Sequence, residues 1–237
     1  YLGGAIRASA LRHGILAELY VPAYGQAVQE ALNPESGLAH FGADVVLLAL
    51  DHRSLGLAGV HVDQATALQA VDGAIARVTA LVDELGRSGA TVMIQTLPTP
   101  PEPWCGHFDR RAAGSVAAQI AALNNHLVAL ADRHGAVLLD VAGLADLLGR
   151  ARWFDHGQWH RAKLPFAIEF VPLYADHVAR LLGALRGKAR KCLVLDLDNT
   201  CWGGVIGGGG KYDTVQRKCK LEEKARAAQH TKSKQQD

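Results

Sequence analysis

Two kinds of apolar pattern alternate along this chain. Short continuous runs occur at 44–50 (DVVLLAL), 91–96 (TVMIQT) and 136–140 (AVLLD), the pattern of strands buried on both faces of a sheet. A further run at 15–20 (ILAELY) reads as a short strand, and 191–195 (KCLVL) as the last one. Between them apolar residues recur at helical spacing. Leu2, Ile6, Ala10 and Leu11 form a first helix closed by Gly14, and 24–32 forms a second, ended by Asn33-Pro34. Leu68, Val71, Ile75, Val78, Leu81 and Val82 stripe a long helix over 63–85. Ile120, Leu123, Leu127 and Leu130 stripe another over 115–134, with Gly135 just past its end. Short helices are expected at 144–148 and 168–185. The four prolines of 97–104 (LPTPPEPW) forbid regular structure there, and 153–165, rich in Trp and His, reads as irregular. Strands alternating with helices predict βαβ crossovers. The expected fold is α/β: a doubly wound, mainly parallel sheet of about five strands over residues 1–187, followed by the first strand of a second domain.

Composition narrows the class only slightly. Apolar residues make up 49% of 237 and charged residues 20%, enough for a sizeable core, and a net charge of +2 favours neither nucleic acid nor a membrane as partner. Eight of the 25 basic residues but only four of the 23 acidic ones lie from Lys211 onward, so a slightly acidic body precedes a basic tail. Residues 211–237 hold too few apolar positions to offset the entropy of ordering, and are expected to be disordered. Cys105, Cys192, Cys201 and Cys219 show no framework spacing, and no signal peptide or membrane-spanning run is evident, so a reducing cytoplasm is the expected setting.

The most compact chemistry follows the last strand. Asp196 and Asp198 leave it two residues apart and enter a glycine-rich turn, where two carboxylates can meet at one metal or phosphoryl site. Other candidates are more diffuse. Arg53, in Asp51-His52-Arg53, follows a buried strand at the carboxyl edge of the sheet and suits an anion, against the alternative of a solvated loop start. Asp155 with His156 or His160 is a possible hydrolytic dyad, against a loop that packs on the ligand edge and binds without hydrolysing. Cys105 is either a reactive thiol or a packed loop residue. The eleven histidines have no zinc-ligand spacing, and Gly207–Gly210 lacks the Gly-Lys-Ser/Thr of a P-loop.

The string Asp196-Leu197-Asp198-Asn199-Thr200 resembles motif I, D-x-D-x-T, of the haloacid dehalogenase (HAD) superfamily. With KCLVLDLDNT and the following WGGVIG, the segment is similar to FkbH-like proteins of HAD subfamily IIIC. In that family the HAD domain follows a domain related to SGNH hydrolases. Gly25-Gln26, NPESGL at 33–38, DVVLLALDHR at 44–53 and KLPF at 163–166 resemble that domain, so the likeness covers about residues 1–210. The chain departs from the family pattern at Gly208 and Gly209, where acidic residues are usual, and at Cys201, where Leu is usual.

The resemblance implies a set of roles. Asp196 would be the nucleophile that takes a phosphoryl group, and Asp198 the general acid/base. The Asp196 carboxylate and the Asp198 backbone carbonyl would hold Mg²⁺, and Thr200 would fix the turn or hydrogen-bond nearby. The implied reaction moves a glyceryl group from 1,3-bisphosphoglycerate, a phosphorylated three-carbon substrate, to the phosphopantetheine thiol of an acyl carrier protein, with phosphate lost, in polyketide-type biosynthesis. The expected organisation is an SGNH-like domain over 1–187 lacking its first strand, the start of a HAD domain over 188–210, and the tail. As a C-terminally truncated chain it is expected to be inactive in transfer, the alternatives being a non-catalytic carrier-protein or partner-binding domain, or an SGNH-type esterase.

Overall fold

The computed structural model describes residues 2–23, 25–61 and 63–187. The chain divides between Ala189 and Arg190 into two units, and the described residues all belong to the first. Asp196, Asp198, Thr200, the strand expected at 191–195 and the basic tail lie outside them.

Helix α1 (Leu2–Arg12) buries Ile6 and Ala10 and is followed by α2 (Ala27–Leu32) and α3 (Gly37–Phe41). Strand β1 (Val45–Leu48) leads to α4 (Gln64–Arg87), then β2 (Thr91–Gln95), α5 (Val116–His134) and β3 (Val137–Leu139). After the sheet come α6 (Val141–Leu148), α7 (Arg150–Trp153), α8 (His156–Ala162) and α9 (Val171–Leu185). Helix starts follow the local chemistry. Asp63, Ser115, Asp140 and Asp155 each place a side-chain oxygen on a free N–H of the first turn, the role for which such residues are favoured at N-caps.

The described strands form one parallel sheet in the order β1-β2-β3, with Val45 opposite Thr91 and Met93 opposite Val137. Both crossovers, through α4 and α5, step the same way across the sheet. A fixed crossover handedness therefore puts both helices on one face, where they pack together. Successive β2 side chains point to opposite faces. Val92 and Ile94 enter the core beneath α4 and α5, with Val71, Val78, Leu81, Ile120 and Leu123. Met93, fully buried, enters the opposite core with Leu139, Leu144, Trp153, Phe166 and Tyr174. There α1 lies along α9 and closes the second layer. The fold is α/β with helices on both faces, as the pattern of runs and stripes predicts.

Three expectations need correction. Residues 15–20 join no strand ladder and no helix among the described residues. Their burial alternates with the expected period of two, and Leu19 packs partly into the α9-side core, yet Leu16 is 90% exposed. A two-residue period records which face is covered and does not supply a partner for the backbone. Residues 153–165 are not irregular, since they contain the end of α7 and all of α8. Trp153 there is a core residue, stacked on Phe166 at 4.6 Å and on Phe170 at 5.8 Å. Finally, α4 is by length and composition apolar enough to cross a membrane. In the structure its stripe of Val71, Ala74, Val78, Leu81, Val82 and Leu85 is buried against the sheet and α5.

Two glycines should respond in opposite directions to alanine. At Gly114 a Cβ would stand 1.9 Å from the His61 carbonyl oxygen, and the Gly114 carbonyl itself accepts from His61 N–H and from Gln119 Nε2. Gly114→Ala is expected to destabilise by more than ~2 kcal/mol, because backbone must move to admit the methyl. At Gly73, exposed inside α4, a Cβ meets nothing within 4 Å, and Gly73→Ala should stabilise by ~0.5–1 kcal/mol. Urea unfolding of the two variants checks both signs.

Candidate functional site at the carboxyl edge of the sheet

The ends of the three strands and the loops that follow them make the site. After β1 the chain turns through Asp51–Ser54. Ser54 N–H donates to Asp51 Oδ1 at 2.8 Å, and the Ser54 hydroxyl donates to the Asp51 carbonyl while accepting from Asp51 N–H. This closed set of bonds fixes the direction in which Arg53 leaves the edge. The end of β2 is tied on both sides. Gln95 Nε2 donates to the Leu50 carbonyl at 2.8 Å, and the Tyr174 hydroxyl donates to Gln95 Oε1 at 2.6 Å. Burial pushes the ionisation of Tyr174 well up from its ordinary value, so that donor keeps its proton. Next, Thr96 Oγ1 donates to Asp140 Oδ1 at 2.8 Å and accepts from Ala142 N–H, which joins β2 to the start of α6.

The proline loop forms one wall. Its base is clamped where Asn124 of α5 accepts from Leu97 N–H and donates to the Leu97 carbonyl, at 2.8 and 2.9 Å. Its far end is held by Asp109, a buried carboxylate that accepts from the N–H groups of Trp104 and Cys105. The opposite wall is α8. The Arg53 guanidinium carbon stands 4.2 Å from the Trp159 ring centroid and Lys163 Nζ stands 5.2 Å from the same centroid. Across the crevice His156 Nε2 lies 2.8 Å from Glu102 Oε1 on the proline loop. Burial works to raise the Glu102 pKa, but the His156 hydrogen bond and the charges of His156 and Arg53 prevail and hold it below its ordinary range. Arg53, read from the sequence as either an anion contact or part of a solvated loop start, leans on Trp159 of α8 with its side chain 20% exposed.

His52 faces the other way. It is 5% exposed and meets the Phe154 ring edge-on at 6.1 Å. Burial lowers its pKa to about 4, with Arg53 adding to the shift and Asp51 opposing it.

The possible dyad of Asp155 with His156 or His160 shows no Asp–His contact among the described residues. Asp155 accepts from Gln158 N–H at 2.9 Å as the cap of α8, and His156 is paired with Glu102. Cys105 is exposed in the proline loop. Among the described residues no three His, Cys, Asp or Glu side chains gather where a metal could be held. Trp159, Lys163, Glu102, Gln95 and Asp109 were not legible as site residues, since each depends on which loops the strand ends bring together. Lys163, within KLPF, carried the one usable signal. A concavity of about 620 Å³ lies at the opposite, amino edge, beside Thr91 and the His134–Asp83 pair, away from all of these groups.

Residues 1–183 match the model of the family described as FkbH, N-terminal domain. The chain belongs to the FkbH family. The FkbH match takes in every element from α1 to all but the last turn of α9, including the whole carboxyl-edge crevice. Among solved structures, the chain is similar to the N-terminal part of the protein BF1531 from Bacteroides fragilis, whose crystal structure contains a phosphatase domain complexed with Mg. The TM-score is 0.76 at 23% identity, over 87% of this chain and 55% of that one. The chain thus spans about half the length of that structure, and the likeness shows the FkbH chain's fold. No curated protein matches the chain.

Two consequences can be measured. A histidine held neutral by burial contributes stability that is complete above its unfolded pKa of ~6.5 and is lost as pH falls towards about 4, because the unfolded chain takes up the proton first. Unfolding free energy should drop by up to ~3 kcal/mol across that window, and His52→Gln should flatten it. Asp155→Ala should cost ~1 kcal/mol of stability through loss of the cap, and leave any hydrolysis of thioester or ester substrates unchanged.

Proposed function

We propose that this chain serves phosphoryl and glyceryl transfer of the FkbH type, with the described α/β domain as the substrate- and partner-binding part and Asp196 and Asp198 as the reacting carboxylates. The observation that carries the reading is one of order along the chain. A match to the FkbH N-terminal domain over 1–183 is followed, after residues 184–190, by KCLVLDLDNT at 191–200, where D-x-D-x-T follows an apolar run. Asp196 would attack phosphorus, and Asp198 would protonate the departing oxygen and then take a proton from the water that releases phosphate. Thr200 would steady the turn that carries both. Asp196 and Asp198 supply the oxygen donors that suit a hard divalent cation, and Mg²⁺ bound there would neutralise charge on a phosphoryl oxygen.

The acceptor in this reading is the phosphopantetheine thiol of an acyl carrier protein, which attacks the acyl carbon of a three-carbon acyl phosphate such as 1,3-bisphosphoglycerate so that the acyl phosphate leaves as inorganic phosphate. Asp196 then takes the phosphoryl group that remains as an ester, freeing the glyceryl hydroxyl, in polyketide-type assembly. A cytoplasmic setting belongs to the same proposal, supported by four cysteines without disulfide-framework spacing. A second reading, a domain that binds the carrier or another partner without catalysis, is favoured by the crevice itself. There Asp155 and His156 are engaged in a helix cap and a salt bridge, while Arg53 has donors left over. The same engagement counts against an SGNH-type esterase.

Turnover of an acyl or aryl phosphate, measured with and without Mg²⁺, separates the readings. The transfer reading expects Mg²⁺-dependent phosphate release that falls at least ~100-fold in Asp196→Asn, as loss of a nucleophile does. Equal release by the wild type and Asp196→Asn would overturn it. Saturable binding of a carrier protein with no release in the wild type would establish the second reading.

A further inference from the structure

The guanidinium of Arg53 makes no hydrogen bond among the described residues. Its Nη1 is buried without a hydrogen-bond partner, and so is Asp51 Oδ2. The two face each other as an ion pair at 3.6 Å, longer than a hydrogen bond. A buried cationic donor left in this state is costly, and native structures commonly satisfy such groups with a water or a ligand. The Arg53 side chain keeps 20% of its surface open.

Lys163 presents a second unspent cation to the same ring. It has no side-chain hydrogen bond and no ion pair among the described residues, and its recorded side-chain contact is the Trp159 face. Its backbone is unusual as well. With φ at 54°, Lys163 is the one non-glycine residue in the left-handed region among the described residues, and it closes α8 by donating its N–H to the Trp159 carbonyl at 2.9 Å. Glycine would occupy that cap without the steric cost, roughly 1 kcal/mol, that a side chain brings. A lysine there accepts the cost and gains an amine beside Trp159 and Arg53. Asp51 and the charge of Glu102 offset Arg53 in part, whereas no ion pair among the described residues offsets Lys163.

We propose that Arg53, Lys163 and Trp159 form a binding site for a phosphate ester at the carboxyl edge of the sheet. Two cations of different shape carry eight donors between them. A carboxylate is satisfied by one arginine fork, whereas a phosphate ester offers more acceptor oxygens and up to two negative charges, enough to engage both residues. Both cations lie within 5.2 Å of the centroid of one indole, which limits their motion. The site rests on the transfer reading only for the choice of probes, which are the phosphorylated three-carbon unit and the phosphopantetheine arm. Both carry the chemistry in question.

Tryptophan fluorescence of the full chain, titrated in parallel with inorganic phosphate, 3-phosphoglycerate and 4′-phosphopantetheine at constant ionic strength, tests the site and separates its sources. One of the two esters should give a saturable change that Trp159→Phe removes. Arg53→Gln and Lys163→Asn should each weaken binding about tenfold, equivalent to ~1.4 kcal/mol. Asparagine tolerates the left-handed backbone, so Lys163→Asn removes the charge while keeping the cap, and its unchanged melting temperature would exclude misfolding as the cause. Titration curves for the wild type and Lys163→Asn that coincide would overturn the proposal. So would the lack of any Trp159-dependent response to all three probes up to ~10 mM, the weak end of meaningful affinity. Asp196→Asn should bind as the wild type does. Loss of the response in that variant would move the site to the Asp196 motif and leave the transfer reading intact. Normal binding with no turnover would count against the transfer reading alone.

Discussion

A parallel sheet has two apolar faces, and neither can be left to water. Here β2 is the strand on which that constraint falls hardest. Val92 and Ile94 supply one core and Met93 the other, all of them nearly inaccessible. Everything else in the domain is placed by the need to cover those two sides. Helices α4 and α5 are long because they shield the whole length of the sheet, and α9 is held from the opposite side with α1 along it. The segments that follow β1, β2 and β3 all leave at the carboxyl edge, and there they gather.

The polar groups at that edge are fixed by the same core. Gln95 is the last residue of β2 and the point where the apolar strand gives way to hydrogen bonding, accepting from the Tyr174 hydroxyl of α9 and donating to the Leu50 carbonyl beyond β1. Thr96 does the equivalent for β3 and α6 through Asp140. The loops therefore do not float over the sheet. Each is referred to a strand end by a short bond, and the aromatic stack of Trp153, Phe166 and Phe170 anchors the segment from α7 to α9 from beneath. That support gives Arg53 and Trp159 a defined separation.

Much of the architecture was readable from sequence because it rests on periodicity. The runs at 44–50, 91–96 and 136–140 became strands and the stripes of 63–85 and 115–134 became helices, for burial alone determines both. Where pairing decided the outcome the sequence was ambiguous, as in 15–20, whose alternation survives as half-buried and exposed positions without a ladder. Trp153 and Trp159 show the same limit in another form. Six residues apart in one aromatic-rich stretch, they look alike in sequence, yet one lies in the core and the other forms the crevice wall. The tertiary position of the helix turn between them decides which is which. Arg53 was legible because a cation after a buried strand is already at the ligand edge. Glu102 reaches it only through a loop path that no local pattern encodes, and for Lys163 the KLPF run was the one signal.

The hydrogen bonds at the strand ends also determine which sign of ion the crevice rejects. The Leu50 carbonyl is taken by Gln95, Asp140 Oδ1 by Thr96 and Gly143, the Leu97 carbonyl by Asn124, and the carboxylate of Asp109 by two loop N–H groups. Asp51 Oδ2 apart, which faces Arg53, the oxygens that a metal cation would seek are thus largely committed to the protein itself, while the donors of Arg53 and Lys163 are not. An edge built this way is a poor ligand set for a cation and an open one for an anion. The selectivity comes from bonds whose evident purpose is to hold the fold together.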